Sequence, residues 1–259
     1  MVSPIPKHLR RIDEYAAIPS NMMDHVVDLT VTRPPRNNTD DIGVHRAKYA
    51  PGLATALVAL AGTDDIGDPM AGTGTLARET GLPMALNDID AKMLRFLTPL
   101  AASGCEITCR PATEITWRRK VCIFSPPYYP KADRCRPCAH NDAKRGPIVG
   151  FRDAYLGADH PQFIGNPSGK DAILHYRRQM TDVYRHLRSV CKRMIVVTKN
   201  WTRLGVEMRL DLDTVLMAQT VGWHLEVRHG WRPPPSLWSR FNAARGGGVT
   251  VEDVLIFAR

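Results

Sequence analysis

The chain predicts a doubly wound α/β fold whose sheet is mostly parallel and closes with an antiparallel final strand. Three observations carry this. Short apolar strands alternate with helical patterns from Ala50 onward, a glycine-rich turn separates the first strand from its helix, and the last two strands have no helix between them. In such a sheet ligands sit at the C-terminal ends of the strands.

The elements follow in order. Leu53, Ala56, Leu57 and Leu60 recur at helical steps, and Asp64 to Pro69 reads as a short strand. Thr75 to Thr80 reads as helix, Pro83 to Leu86 as strand, and Ala91 to Ala102 as helix. Strands follow at Ile107–Cys109, Val121–Phe124 and Met194–Thr198. Between the last two lies a helix from about Asp171 to Cys191, with Ile173, Tyr176, Met180, Val183, Leu187 and Val190 along one face. A helix near Leu210–Thr220 leads to two late strands, Leu225–Val227 and Val251–Phe257, which flank Gly246-Gly247-Gly248 as an antiparallel pair. Residues 1–43 read as an N-terminal arm that contacts substrate, and 44–259 as one domain. That domain carries an insert at about 129–170, rich in Pro, Gly, Asn and charge, a length commonly kept for function.

Composition narrows the class. Hydrophobic content of 44% with 24% charged residues is that of an ordinary globular chain. No apolar run approaches a membrane span, the N-terminus has no signal-peptide core, and six cysteines lack a secretory context, so a reduced cytoplasmic protein is expected. The formal charge is +9, unevenly spread: +1 over residues 1–48, −1 over 49–128, +4 over 129–178 and +5 over 179–259. A polyanion partner is the first to test, with the insert and the loop 231–248 facing it. The insert interleaves Lys131, Arg134, Arg136, Lys144, Arg145, Arg152 and Lys170 with Tyr129, Phe151 and Tyr155. Trp231-Arg232-Pro233-Pro234-Pro235, with Trp238 and Arg240, is a further candidate contact. The ordinary alternative for the insert is a solvated loop pinned by its aromatics.

Two segments carry chemistry. Asp68-Pro69-Met70-Ala71-Gly72-Thr73-Gly74-Thr75 follows a strand and opens a helix, and Gly72 and Gly74 permit a tight turn and close backbone approach to a ligand. Gly72, Gly74 and Ala77 also fit the dinucleotide pattern, so this segment leaves NAD and S-adenosylmethionine (SAM) both open. Asp88 ends the next strand, where a carboxylate accepts ribose hydroxyls; Asp90 is the neighbouring alternative, and either acid equally suits a helix N-cap. The second segment is Ser125-Pro126-Pro127-Tyr128, closing the strand Val121–Phe124. Its prolines cannot continue a central strand, and they set a rigid corner where the Ser125 hydroxyl and Pro126 carbonyl accept hydrogen bonds beside the Tyr128 ring. A flat ring bearing an amino group suits that corner; a proline turn with a buried tyrosine is the plainer alternative.

With both segments the chain resembles the SAM-dependent amino-methyltransferases that act on cytosine N4 or adenine N6 of DNA, over roughly residues 44–259. Ser125 to Tyr128 is similar to their catalytic motif, in the form more usual for cytosine N4, and Asp68 to Thr75 to their cofactor motif. His45-Arg46-Ala47-Lys48-Tyr49-Ala50-Pro51-Gly52-Leu53 is similar to the preceding segment, which implies that Lys48 and Tyr49 help hold the methionine part. Asn87-Asp88-Ile89-Asp90 resembles the ribose-binding turn, and Tyr176 to Asn200 and Val251 to Phe257 resemble the fifth-strand region and closing strand. The resemblance implies a Rossmann-like methyltransferase sheet, SAM as cofactor, DNA as partner with RNA or tRNA second, and site-specific DNA methylation on a flipped base, as in restriction-modification. Two features depart from it: Arg110-Pro111-Ala112-Thr113 stands where an acid often contacts the cofactor's adenine, and no large separate recognition domain is present. A non-enzymatic nucleic-acid-binding protein on the same fold is the third reading.

No resident metal is expected. Cys135-x-x-Cys138-x-His140, with His160, lacks a fourth ligand at ordinary spacing. Cys138 after Pro137 lacks the flanking residues of cytosine C5 methylation. Met22-Met23 reads as core.

Overall fold

A computed structural model describes residues 27–28, 49, 52–127, 164, 172–203, 206–231 and 251–259. Its main sheet has eight strands in the order β4-β3-β2-β5-β6-β10-β9-β1. These are β1 (Val27–Asp28), β2 (Ile66–Asp68), β3 (Ala85–Asn87), β4 (Glu106–Thr108), β5 (Val121–Phe124), β6 (Arg193–Lys199), β9 (His224–Trp231) and β10 (Glu252–Ala258). β10 runs antiparallel to both neighbours, β6 and β9, while every other pairing is parallel. The doubly wound sheet with an antiparallel final strand is therefore observed. The chain runs outward from β2 through β3 to β4, then returns to lay β5 on the other side of β2. That reversal opens a crevice between β2 and β5.

Two apolar layers cover the sheet. On one face α1 (Leu53–Ala61) and α2 (Thr75–Thr80) bury Leu53, Leu57 and Leu76 against Ile123, Ile195, Val197 and Val254. On the other, α4 (Ala172–Val190) and α5 (Leu210–Thr220) bury Tyr176, Met180, Leu187 and Val215 against Phe124, Met194, Val196 and Leu255. Met194 to Val197 feed the two layers alternately, which is why β6 reads as an unbroken apolar run.

Two expectations change. The helix expected over Ala91–Ala102 is three pieces: a 3-10 turn Ala91–Met93, α3 (Leu94–Leu97) and a 3-10 stretch Thr98–Ser103. Pro99 lies in the last and offers no N–H to continue the α-helical ladder. The strand expected at Leu225–Val227 extends to His224–Trp231, because β10 supplies a partner along its whole length. A separate hairpin follows Asn200, formed by β7 (Trp201–Arg203) and β8 (Val206–Met208). β1, within the expected arm, pairs with His229 and Gly230 of β9.

Candidate active site

The site is built where β2, β3 and β5 end. β2 closes with Asp68, buried to 2% exposure, and its Oδ1 accepts the Met70 N–H at 3.0 Å. The chain then turns through Gly72 (φ 54°) and Gly74 (φ 73°), both in the left-handed region where a side chain is strained. The turn is bolted to β3 from below: Ala71 N–H donates to the Asn87 carbonyl at 2.8 Å, and Gly72 N–H to Asp88 Oδ2 at 2.8 Å. Gly74 has a role other than ligand approach. A Cβ there would lie 2.6 Å from Leu100 and 2.9 Å from Leu97, so its bareness serves the packing of the turn against the α3 region. Thr75 is half-buried, and its hydroxyl lies 3.1 Å from that of Thr73.

The two candidate acids separate in role. Asp90 caps the following 3-10 turn, its Oδ1 accepting from Lys92 N–H at 2.9 Å. Asp88 caps no helix. It faces the glycine turn and uses its other oxygen for the Asp90 N–H, at 2.9 Å. Ile89 stands between them. The Asp88 charge acts on Asp68 and the Asp90 charge on Asp88, yet no cationic side chain pairs with Asp68 or Asp88 among the described residues. Burial is the main reason Asp68 is pushed up to about 8, with Asp88 adding to it; burial likewise raises Asp88 to about 6 against the pull of its backbone N–H donors.

Asn87, which opens the segment resembling the ribose-binding turn, has a role that its motif does not name. It is fully buried, and its Nδ2 donates to the carbonyls of Pro69 (3.0 Å) and Arg110 (2.9 Å). Its Oδ1 accepts from Thr108 Oγ1 (2.9 Å) and Arg110 N–H (3.2 Å). One side chain thus ties the ends of β2, β3 and β4 with all of its hydrogen-bonding capacity used. Its place just before the acid, at a strand end, was the available signal. Arg110, in the position noted as lacking an acid, serves this bracket through its backbone.

β5 delivers the other half of the site. It is buried throughout and lies between β2 and β6; at its end Ser125 and Pro127 are half-buried and Pro126 is buried. Adjacent strands lie about 4.8 Å apart, so the pairing of β2 with β5 sets the corner beside the glycine turn despite their distance in sequence. Tyr49 is half-buried and packs on the α1 side of the core. Lys48, Tyr128, nearly all of the insert 129–170, and the loop beyond Trp231 to Thr250 lie outside the described residues, as do Cys135, Cys138, His140 and His160. Among the described residues no group of His, Cys, Asp and Glu could hold a metal, and no helix is long and apolar enough to cross a membrane.

No family model and no curated protein matches the chain. Solved structures do. A magnesium protoporphyrin IX methyltransferase from Synechocystis PCC 6803 with bound SAM is 12% identical at a TM-score of 0.45, covering 80% of this chain and 78% of that one. A putative RNA methyltransferase from Pyrococcus horikoshii is 12% identical at 0.46, covering 89% and 92%. A glycopeptide N-methyltransferase complexed with S-adenosyl-L-homocysteine is 10% identical at 0.46, covering 88% and 99%. At such identities the likeness concerns the fold and leaves the substrate open.

Proposed function

We propose that this chain is a SAM-dependent methyltransferase that methylates the exocyclic amino group of a base in nucleic acid, with N4 of cytosine in DNA as the favoured target. The observation that carries the reading is the juxtaposition, at the crevice between β2 and β5, of the acid-backed glycine turn and the Ser125-Pro126-Pro127 corner. An NAD-binding reading explains the turn and leaves the corner unused. It also expects a sixth parallel strand where this sheet inserts antiparallel β10 between β6 and β9.

The residues present fit the cofactor. A buried carboxylate, Asp68, and a half-buried one, Asp88, both without a cationic side-chain partner among the described residues, suit a ligand bearing a cationic ammonium. Asp88 spends one acceptor site of each oxygen on backbone N–H groups and retains others for ribose hydroxyls. In this reading Pro69, Met70, Ala71, Gly72 and Thr75 shape the cofactor side with Ile89, while Lys48 and Tyr49 close over the methionine part. When bound, SAM supplies an electrophilic methyl group on a sulfonium centre.

At the corner, the Ser125 hydroxyl and Pro126 carbonyl accept the two hydrogens of the target amino group, and Pro127 keeps the turn rigid. The amino nitrogen is a poor nucleophile because its lone pair is delocalised into the ring. Holding its hydrogens out of the ring plane favours a tetrahedral nitrogen and a freer lone pair. Tyr128 offers a face on which the extruded base stacks, offsetting part of the few kcal/mol that extrusion costs. Catalysis on this account is positioning and electrostatics, with no covalent enzyme intermediate.

The test is labelled SAM offered with duplex DNA, single-stranded DNA and RNA, followed by nucleoside mass spectrometry. Label in N4-methylcytosine from DNA is expected. Label in N6-methyladenine, or in RNA alone, replaces the target, and cofactor binding with no labelled nucleoside overturns the enzymatic reading. Ser125→Ala should lower turnover about a hundredfold while leaving cofactor affinity nearly unchanged; full activity in that variant would remove the corner from the mechanism.

A further inference from the structure

The edge where β5 and β6 begin, opposite the candidate active site, sorts its charges into two groups. Arg119 meets Glu106 at 2.7 Å and Asp65 at 3.8 Å, and Arg193 meets Glu226 at 2.9 Å. Arg118, Lys120, Arg188, Lys192 and Arg259 are all exposed and form no ion pair among the described residues. Asp64 is the exposed acid of this edge outside those pairs.

Hydrogen bonds to backbone carbonyls bring the residues that carry these cations together at this edge. Arg119 N–H donates to the Val190 carbonyl at 2.9 Å, and Lys192 and Arg193 N–H groups both donate to the Lys120 carbonyl, at 3.1 and 3.3 Å. Arg259 Nη1 donates to the Arg188 carbonyl at 2.6 Å. Since Val121 stands opposite Arg193 in the parallel ladder, Lys120 stands opposite Lys192. Two ammonium groups on neighbouring strands repel each other, and an anion between or beside them relieves that repulsion.

We propose that this edge is a second phosphate-contacting surface for nucleic acid, separate from the corner where the base reacts. The proposal rests on the nucleic-acid reading above. The surface offers charge without apolar anchors: Leu174, the exposed large hydrophobic residue among those described, sits near the start of α4, whereas Arg188 lies near its end. Apolar side chains that insert strengthen a membrane-binding surface, whereas a phosphate backbone is met by spaced cations alone. Lys120 lies one strand length from Ser125, about 16 Å at the rise of an extended chain. A nucleic acid touching both must therefore extend well beyond the target base.

The experiment compares the full chain with the triple variant Arg118→Ala, Lys120→Ala, Lys192→Ala, using fluorescently labelled duplex DNA over a series of salt concentrations. Each lost phosphate contact should lower the steepness of log affinity against log salt by about one, so the triple variant should lose about three. SAM binding and the melting temperature should be unchanged, and the double variant Lys120→Arg, Lys192→Arg, which keeps all three charges, should retain the wild-type slope. Tight, salt-dependent DNA binding with a slope unmoved by the alanine variant overturns this proposal alone. Absence of wild-type binding to DNA or RNA overturns it together with the nucleic-acid reading. Charge-dependent binding to phosphatidylserine vesicles without nucleic-acid binding replaces the partner and also overturns it.

Discussion

Asp68 and Asp88 sit at consecutive strand ends with backbone N–H groups as their hydrogen-bond donors, and this has a measurable consequence. A carboxyl whose folded pKa lies above its unfolded value binds its proton more tightly when folded. Its contribution is fully present below the unfolded value and is lost as pH rises through the folded one. For Asp68 the window runs from the ordinary value of 3.8 to about 8. Asp68→Asn keeps an oxygen for the Met70 N–H and removes the buried charge. It should therefore melt higher than wild type at about pH 8 and above, and the difference should fade toward about pH 4. Thermal melting across that range checks it. No difference at high pH would mean that water or a cation stabilises the charged form.

Between β6 and α5 the chain leaves the sheet, forms the β7–β8 hairpin and returns, and both ends of that excursion are tied to Asp211. Asn200 Oδ1 accepts the Asp211 N–H at 3.1 Å, and Arg209 grips the Asp211 carboxylate through two bonds, at 2.9 and 2.6 Å. Arg228 of β9 then bridges Asp211 (2.9 Å) and Asp253 of β10 (2.7 Å). Asp211 is 1% exposed, Asp253 4% and Arg228 13%, so removing one partner here costs far more than breaking a surface pair. Burial, then the Asp211 charge, raises Asp253 to about 6 even with Arg228 beside it. Arg228→Ala leaves Asp211 to Arg209 and strips the buried Asp253 of the cation beside it, and it should cost about 3–5 kcal/mol in urea unfolding. Arg119→Ala, which breaks the half-exposed Glu106 pair, should cost about 0–1 kcal/mol. Equal losses would show that the buried cluster is screened by water.

For the molecule as a whole, the +9 charge and the bound cofactor act on different properties. Charge sets association with a polyanion and its salt dependence; a ligand that binds the native state raises its stability by mass action. SAM at a hundred times its dissociation constant should add about 2.7 kcal/mol, which for a chain of this length raises the melting temperature by about 5–10 °C. NAD at the same concentration should leave it unmoved. A shift with NAD and none with SAM would reverse the choice of cofactor.

The alternation of strands and helices, the antiparallel close, and the segments around Gly72 and Ser125 were legible in the amino-acid order because each rests on local chemistry. Periodicity sets the buried face of α4, proline ends β5, and glycine permits the positive φ at 72. Tertiary structure decided what depends on neighbours. It assigned Asp90 to a cap and Asp88 to the turn, gave Gly74 to packing, and made Asn87 the bracket of three strand ends. It also separated paired from unpaired cations at the far edge. A side chain's partner lies across strands distant in sequence, and burial and charge depend on that partner rather than on the residue's own neighbours in the chain.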